Sequence, residues 1–480
     1  MASPVSRPRT TTAPLTEGSI LRALVRLSGP IVVANLLQTA YQVTDTFWVG
    51  RLSAEAVAAV SLCFPIGFLL IAVGGGLPIA GSVLIAQYKG RGDAAAMNRV
   101  TAQTLLMVLA VSLTLTTVGY VFSHPIMEFM GAAPEVLPDA VRFLRIMLLG
   151  FVFVFGFFVY QSLMRGLGEV QAPMYIVLLT VLLNLVLDPL FIFGYGPVPA
   201  MGVAGAAMAT FATQTLATVI GFTMLFRGRY GIRVRWRDFR PDLTFIARAF
   251  WLGFPTSIER GTRALGMTVM MLLVTGFGTV AVAAYGTGLR VLMFFIIPGM
   301  GLSMATSALV GQNIGAGKLD RAERTNRIAC LVAFVTPLVA AVPLLFGARP
   351  FAAFFIPEGG AAIDLSADFI RILAITFGFI GLQQVIAGTL RGAGSTATAM
   401  MLALVSQWVI QFPVAYVLSR HTSLGVAGIW WAYPSSAILS AVVAVGWFLR
   451  GDWKRKNLLA EMDLRQQVEE AAVVDEGIPQ

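Results

Sequence analysis

Residues 27–50 read LSGPIVVANLLQTAYQVTDTFWVG, a stretch of 24 residues in which Asp45 is the single charged side chain. A helix needs about 20 predominantly apolar residues to cross a bilayer, so this stretch is long enough to span one. Similar stretches recur along the 480-residue chain, of which 57% is hydrophobic and 12% charged. This composition predicts an all-α integral membrane protein and excludes large soluble domains.

The apolar stretches, separated by charged residues, glycines and prolines, predict twelve membrane-spanning helices. They lie near residues 25–48, 54–84, 98–122, 133–160, 170–194, 203–226, 245–275, 280–311, 325–347, 365–389, 397–419 and 424–449. Basic residues, Arg165 and Arg391 among them, occupy every second connection, and the positive-inside rule makes those connections cytoplasmic. Both termini are therefore expected on the cytoplasmic side of the inner membrane. The net charge of +10 follows this membrane pattern, so no nucleic-acid partner is expected.

An internal repeat divides the chain near its middle. A shift of 225 residues places Gln87 on Gln312, and a shift of 226 places Arg165 on Arg391. Each half starts and ends on the cytoplasmic side, so the halves are parallel repeats related by an axis along the membrane normal, as in transporters. The pattern predicts two pseudo-symmetric six-helix lobes. The expected divisions are a polar tail (1–18), an N-lobe (19–226), a basic cytoplasmic linker (227–244), a C-lobe (245–450) and a cytoplasmic tail (451–480).

Polar residues inside two spans of the first half indicate a buried site. In the fifth span, Asn184 and Asp188 are four residues apart and share a helical face. The first span carries four polar residues at spacings i, i+3, i+7 and i+10, on a face that cannot contact lipid: Asn35, Gln38, Gln42 and Asp45.

The depth of these residues brings the two acids together. Asp45 and Asp188 lie 19 and 20 residues beyond the cytoplasmic ends of their helices, about 30 Å at 1.5 Å per residue. Thr210, in the outer part of the sixth span, lies at a comparable level. The second half lacks such a pair, because Asp45 aligns with Met270 and Asp188 with the acid-free stretch 411–414. Two carboxylates, an amide and a hydroxyl are therefore expected to converge in the first lobe.

A carboxylate at membrane depth costs several kcal/mol unless it is protonated, paired or bound to a cation, and a second carboxylate nearby disfavours double ionisation. The site is therefore expected to bind a proton or a sodium ion, with the four side chains just described as possible sodium ligands. Coupling to transport follows if cation binding favours one helix packing over another. Pro30 and Pro189 are candidate hinges.

Alternative interpretations exist for each acid. Asp45 could be a charge at a pore mouth or a partner of Arg51, and Asp188 could end the fifth helix ahead of Pro189. Glu259, in the seventh span, lies four residues before an arginine, so it is either part of a structural ion pair or a substrate contact. The glycine-rich stretch 311–318 lacks the spacing of a phosphate-binding loop, and no hydrolase or zinc-protease motif occurs. No enzyme activity and no cofactor are expected.

Several segments carry a resemblance to a known family. They are residues 27–50, AQYKGRGD (86–93), its repeat GQNIGAGK (311–318), RGLGEVQAP (165–173), LLNLVLDPLFIFG (182–194) and GVAGAAMAT (202–210). Over nearly its whole length the chain resembles the multidrug and toxic compound extrusion (MATE) transporters. The resemblance implies twelve helices in two lobes, and export of bulky, often cationic, amphipathic compounds in exchange for protons or sodium.

The resemblance also implies a cation site at Asp45, Asn184 and Asp188, with Tyr41 and Thr210 beside it. Acids found in the second lobe of the NorM-type branch are missing, so the chain is more similar to the DinF-type branch. Further candidates for the substrate pathway are Asn35, Gln38, Gln42 and Glu259. A monomer in the lipid bilayer is expected.

Two other functions are alternatives to export. A flippase for a lipid-linked sugar, as found in the wider superfamily, would need a strongly cationic central cavity to hold pyrophosphate, and the acids of the first lobe argue against it. A receptor or scaffold without transport activity would leave the one-sided acidic pair unexplained. The exported compound and the choice between proton and sodium stay open at this point.

Overall fold

The structure, a computed structural model, describes residues 15–228, 230–356, 360–456 and 458–462. The ends of the expected tails, at 1–14 and 463–480, lie outside the described residues. The first half contains α1 (Ile20–Val49), α2 (Ala54–Gly74), α3 (Leu77–Arg91), α4 (Ala94–Val121), α5 (Ser123–Phe129), α6 (Leu137–Gly166), α7 (Gln171–Phe193) and α8 (Val203–Phe226). The second half contains α9 (Leu243–Thr275), α10 (Thr279–Gly315), α11 (Leu319–Phe355), α12 (Ala361–Gly392), α13 (Thr396–Leu404), α14 (Phe412–Arg420), α15 (Val426–Arg450) and α16 (Asp452–Arg455).

All twelve expected spans correspond to helices, with three local differences. The second span breaks at Gly75 and Gly76 into α2 and α3, and the eleventh contains a π-helical segment, Val405–Gln411, between α13 and α14. The short helix α5 was not expected, because seven residues are too few to show a periodic pattern.

Length and composition support a membrane location. Eleven helical segments among the described residues are long and apolar enough to span a bilayer. The remaining span, α9, has 33 residues but carries four charged ones near or before its middle: Arg248, Glu259, Arg260 and Arg263. It packs against α2, α3 and α13 within the bundle, which gives these charges surroundings other than lipid.

The helices form two lobes of six spans. In the N-lobe, α6 packs against α4 and α8, and α1 packs against α7. In the C-lobe, α12 is the central helix and contacts α10, α11 and α15. The lobes meet where α1, α2 and α3 lie against α9 and α10. The chain is therefore an all-α membrane protein with twelve spans in two lobes, as the repeat predicted.

Repeat-related hydrogen bonds join the lobes at the end of the bundle where the arginine-rich and lysine-rich connections lie, which we call the basic end. Gln87 Nε2 in α3 donates to the carbonyl oxygen of Gly392 at 2.9 Å. Gln312 Nε2 in α10 donates to the carbonyl oxygen of Gly166 at 2.8 Å. Because each glutamine binds the last residue of a helix in the opposite lobe, the two bonds act together to hold the basic end closed.

Two glycines allow the helices to approach closely enough for these bonds. A Cβ atom at Gly90 would lie 2.0 Å from the carbonyl oxygen of Gln312, and one at Gly315 would lie 1.9 Å from that of Gln87. Real Cβ atoms do not come this close to backbone atoms. Small residues at helix crossings are the usual means of close packing in membranes, where dispersion contacts replace the hydrophobic effect.

Candidate functional site

Three helices of the N-lobe bring the expected cation site together. The helix α7 packs against both α1 and α8, so the polar faces of the three helices meet inside the lobe. The residues that converge there are Tyr41 and Asp45 from α1, Asn184 and Asp188 from α7, and Thr210 and Thr213 from α8.

The two carboxyl groups are neighbours. Asp45 and Asp188 interact through their side chains. Asn184 Nδ2 donates to Asp188 Oδ1 at 2.9 Å, and Thr210 Oγ1 donates to Asp45 Oδ2 at 3.4 Å. Asn184 and Asp188 are completely buried, and Asp45 is half-buried. The structure thus brings together the four side chains that the depth argument placed at one level.

Three buried oxygen atoms of this site have no hydrogen-bond partner among the described residues: Asp45 Oδ1, Asn184 Oδ1 and Asp188 Oδ2. A buried polar atom left without a partner costs about 1–3 kcal/mol. All three atoms are acceptors, so a proton or a hard cation would satisfy them. Oxygen ligands of this kind suit sodium as well as a proton shared between the two carboxyl groups.

A hydroxyl pair lies beside the acids. Tyr41 Oη and Thr213 Oγ1 are 2.8 Å apart, and Thr213 Oγ1 also lies within hydrogen-bonding distance of the carbonyl oxygens of Ala209 (2.9 Å) and Thr210 (3.0 Å). If Thr213 donates to those carbonyl oxygens, the Tyr41 hydroxyl donates to Thr213. Thr213 was not predicted as a site residue, although its spacing of three from Thr210 puts both on one face of α8.

The geometry bears on the alternative interpretations of the two acids. Arg51 does not pair with Asp45; its guanidinium lies over the ring of Phe47, 4.4 Å from the ring centroid. The helix α7 continues for four residues beyond Pro189, so Asp188 does not end it. Both acids therefore lie within helices that pack inside the lobe.

The other polar residues of α1 occupy less buried positions. Asn35 and Gln38 are half-buried and Gln42 is exposed. Asn35 Nδ2 is buried without a partner among the described residues. Among the described residues, a central cavity lies between the two lobes, and none of these three side chains lines it. Their place on a substrate pathway therefore stays a prediction.

Glu259, the fourth pathway candidate, does line a cavity. This central cavity has a volume of about 340 Å³ and lies between the C-lobe helices and the N-lobe helices α3 and α6. Glu259 accepts hydrogen bonds from Arg263 Nη2 at 3.3 Å and from Arg391 Nη1 at 3.0 and 2.8 Å, one to each carboxylate oxygen. The structure thus contains the ion pair considered from the sequence and adds Arg391, a partner from α12.

Aromatic residues fill the interior of the C-lobe. The hydroxyl groups of Tyr285 and Tyr433 are 2.8 Å apart, and the ring of Tyr285 stacks on that of Trp430. Met270, the repeat counterpart of Asp45, is buried beside this cluster. The two lobes therefore share a fold but differ in their interior chemistry.

Comparisons with known proteins agree with this architecture. The sequence profile of the family described as MatE matches residues 30–190 and 255–417, one match in each half. The chain is 28% identical to the probable multidrug resistance protein YoeA of Bacillus subtilis, over 92% of this chain and 96% of that protein. It is 26% identical to a protein named FAD transporter from Shewanella oneidensis, over 89% and 94% of the two chains.

A solved structure has the same fold. It is described as the outward-facing conformation of a multidrug resistance MATE family transporter. The TM-score is 0.84 at 27% sequence identity, and the match covers 92% of this chain and 98% of that one.

Proposed function

Because the chain belongs to the MatE family, that of the multidrug and toxic compound extrusion transporters, we propose that it is a secondary antiporter that exports amphipathic small molecules in exchange for protons or sodium. The observation that carries this proposal is the cluster of Asp45, Asn184 and Asp188, with one unpaired buried oxygen on each residue. A relative named as a probable multidrug resistance protein supports export of small molecules.

Cation binding would act on the packing of α1. With the site empty and both acids ionised, Asp45 repels Asp188 across the contact between α1 and α7. A proton or sodium ion removes this repulsion and joins the two helices, so the cation favours the packing in which the acids are close. Pro30 and Pro189 lie inside continuous helices, and each leaves a carbonyl without its helical donor. We propose them as the points where α1 and α7 bend.

The basic end is the cytoplasmic end in this proposal. Its connections carry the lysine and arginine excess that the positive-inside rule associates with the cytoplasm. The contacts of Gln87 and Gln312 join the lobes at that end, as an outward-facing state requires. Both termini then lie in the cytoplasm, and the protein works as a monomer in the inner membrane.

The resemblance and the relatives give different indications of the charge of the exported compound. The family resemblance favours cationic compounds, whereas one relative is named for transport of FAD. A flippase for a lipid-linked sugar is the second candidate function, and the observation that favours it is the set of arginines in the central cavity.

Substitution of the two acids tests the antiporter proposal. We expect Asp45→Asn and Asp188→Asn each to abolish export, because an amide keeps the shape of the carboxyl group but does not exchange a proton or carry the charge that binds sodium. The assay measures accumulation of ethidium, a cation, and carboxyfluorescein, an anion, in cells that lack their own exporters. Asp139→Asn, at an exposed acid in the first turn of α6, is the matched control. Full export by both acid variants would contradict the proposal.

A further inference from the structure

The central cavity has an excess of positive charge. Among its lining residues, four arginines face one glutamate, Glu259. The arginines come from both lobes: Arg165 from α6, Arg260 and Arg263 from α9, and Arg391 from α12. The cavity wall therefore carries a net charge of +3.

The single glutamate engages only part of this charge. Glu259 receives hydrogen bonds from Arg263 and Arg391. Among the described residues, Arg165 and Arg260 form no salt bridge with a carboxylate, although Glu259 interacts electrostatically with Arg260. Both arginines line the same cavity, and their positive charges repel each other. Two guanidinium groups without a direct salt bridge therefore face the cavity.

Such an arrangement calls for an anion. Removing a charged group from water without a counter-charge is costly, and a second like charge nearby adds to the cost. The guanidinium group of arginine binds phosphate through two parallel hydrogen bonds, so two guanidinium groups, those of Arg165 and Arg260, suit a phosphate ligand. A phosphate monoester carries about −1.5 to −2 at neutral pH, whereas a carboxylate carries one charge, so phosphate matches two unpaired arginines better.

The rest of the wall combines uncharged polar side chains, serines and glutamines among them, with an apolar and adaptable part. Five methionines line the cavity together with leucine and isoleucine side chains: Met267, Met270, Met293, Met300 and Met304. Methionine has three rotatable bonds and a polarizable sulfur atom, so it adapts to apolar ligands of different shape. The cavity volume of about 340 Å³ lies within the range of small-molecule sites. One end of a ligand would thus bind to arginines and the other to methionines.

We propose that the central cavity binds an amphiphile that carries a phosphate or diphosphate group, and that Arg165 and Arg260 bind its phosphate oxygens. The proposal rests on the transport function proposed above and names the substrate class of that transporter. A cationic amphiphile is disfavoured in this cavity, because the wall would repel it. Soluble organic phosphates and lipid-linked phosphates share the required chemistry.

Binding to the purified full-length protein in detergent tests this proposal without requiring transport. FMN and riboflavin share a fluorescent ring and differ by one phosphate group. We expect FMN to bind about tenfold or more tightly than riboflavin, the effect of one hydrogen bond to a charged group. Arg260→Gln and Arg165→Gln should each remove most of this preference, and Arg260→Lys should retain part of it. Arg371→Gln, at an exposed arginine on α12 paired with Asp368, should change nothing.

A second pair of probes identifies the source of the phosphate. Farnesyl phosphate and farnesol are compared for displacement of a bound fluorescent probe. Preference for FMN indicates a soluble substrate, and preference for farnesyl phosphate indicates a lipid-linked one; either outcome supports phosphate recognition. If neither phosphate binds more tightly than its dephosphorylated counterpart, or if the folded arginine variants keep wild-type affinity, the proposal is wrong. Gel filtration checks folding, and Arg165→Gln serves if Arg260→Gln fails to fold.

The acid variants separate this inference from the proposed antiport. Asp45→Asn should keep the preference for FMN over riboflavin and lose ion-driven export. Export of ethidium that depends on Asp45, together with absence of phosphate preference, would leave the antiporter in place and overturn the phosphate site. Phosphate binding without any ion-driven export would support the phosphate site and contradict the antiporter.

Discussion

Among single side chains, Glu259 is a buried acid that pairs with two arginines, Arg263 and Arg391. Its side chain is 6% exposed and that of Arg391 is 15% exposed. Removing one member of a buried ion pair leaves the other charge unpaired, which costs about 3–5 kcal/mol. We therefore expect Glu259→Gln to lower the free energy of unfolding by about this amount, measured in mixed detergent micelles. Arg391→Gln should lower it by less, because Glu259 keeps its contact with Arg263. The double variant of Glu259 and Arg391 should lose less free energy of unfolding than the sum of the losses in the two single variants.

An exposed ion pair on α12, the helix that carries Arg391, provides the comparison. Arg371→Gln breaks a contact of 3.1 Å with Asp368, in which both side chains are about half exposed. Surface pairs contribute about 0–1 kcal/mol, so this variant should remain close to the wild type. Additive effects of Glu259→Gln and Arg391→Gln would show that the two residues do not form a coupled pair.

Residue spacing predicted only part of these contacts. The depth and face of Asp45 and Asp188 could be deduced because each position in a helix fixes a level and a direction. The contact between Glu259 and Arg391 joins positions 132 residues apart, and no local pattern indicates it. The charge pattern of the sequence assigns Arg391 and Arg165 to cytoplasmic connections, whereas the structure places both side chains in the central cavity.

At the level of helices, the crossing of α3 and α10 controls closure of the basic end. Gly315→Ala would place a Cβ atom 1.9 Å from a backbone oxygen of Gln87, and backbone atoms cannot move aside as a flexible side chain can. We expect this variant to populate a state with the basic end open. Spin labels on Ala95→Cys and Asp320→Cys, in a protein without its two native cysteines, should then report a second, longer distance.

A glycine on the same helix is the matched control. Gly286 has open space around its Cβ position, so Gly286→Ala should leave the distance distribution unchanged. An unchanged distribution for Gly315→Ala would mean that this contact does not hold the basic end closed.

The positions of the helices could be predicted from the apolar stretches of the sequence, but the break at Gly75 and Gly76 and the π-helical segment could not. Both depend on packing between helices, which hydrophobic periodicity does not record.

At the level of the whole molecule, the two-lobe architecture could be predicted because the two halves of the sequence align with each other. The closed basic end could not, since alternative lobe arrangements differ by a few contacts whose net energies are about 1 kcal/mol each. The combined charge of the cavity also depends on the lobe arrangement, because Arg165 comes from one lobe and Arg260 from the other. Architecture is therefore recoverable from the chain, whereas conformational state and substrate chemistry require the assembled structure.

The most direct test of ion-coupled export is to follow the ion itself. Proteoliposomes are loaded with a probe that the wild type exports, and inward movement of protons and of radioactive sodium is measured during probe exit. We predict that probe exit drives inward movement of one of these ions, and that Asp188→Asn abolishes this movement while Asp139→Asn does not. Probe exit without movement of either ion, or unchanged ion movement in Asp188→Asn, would contradict it.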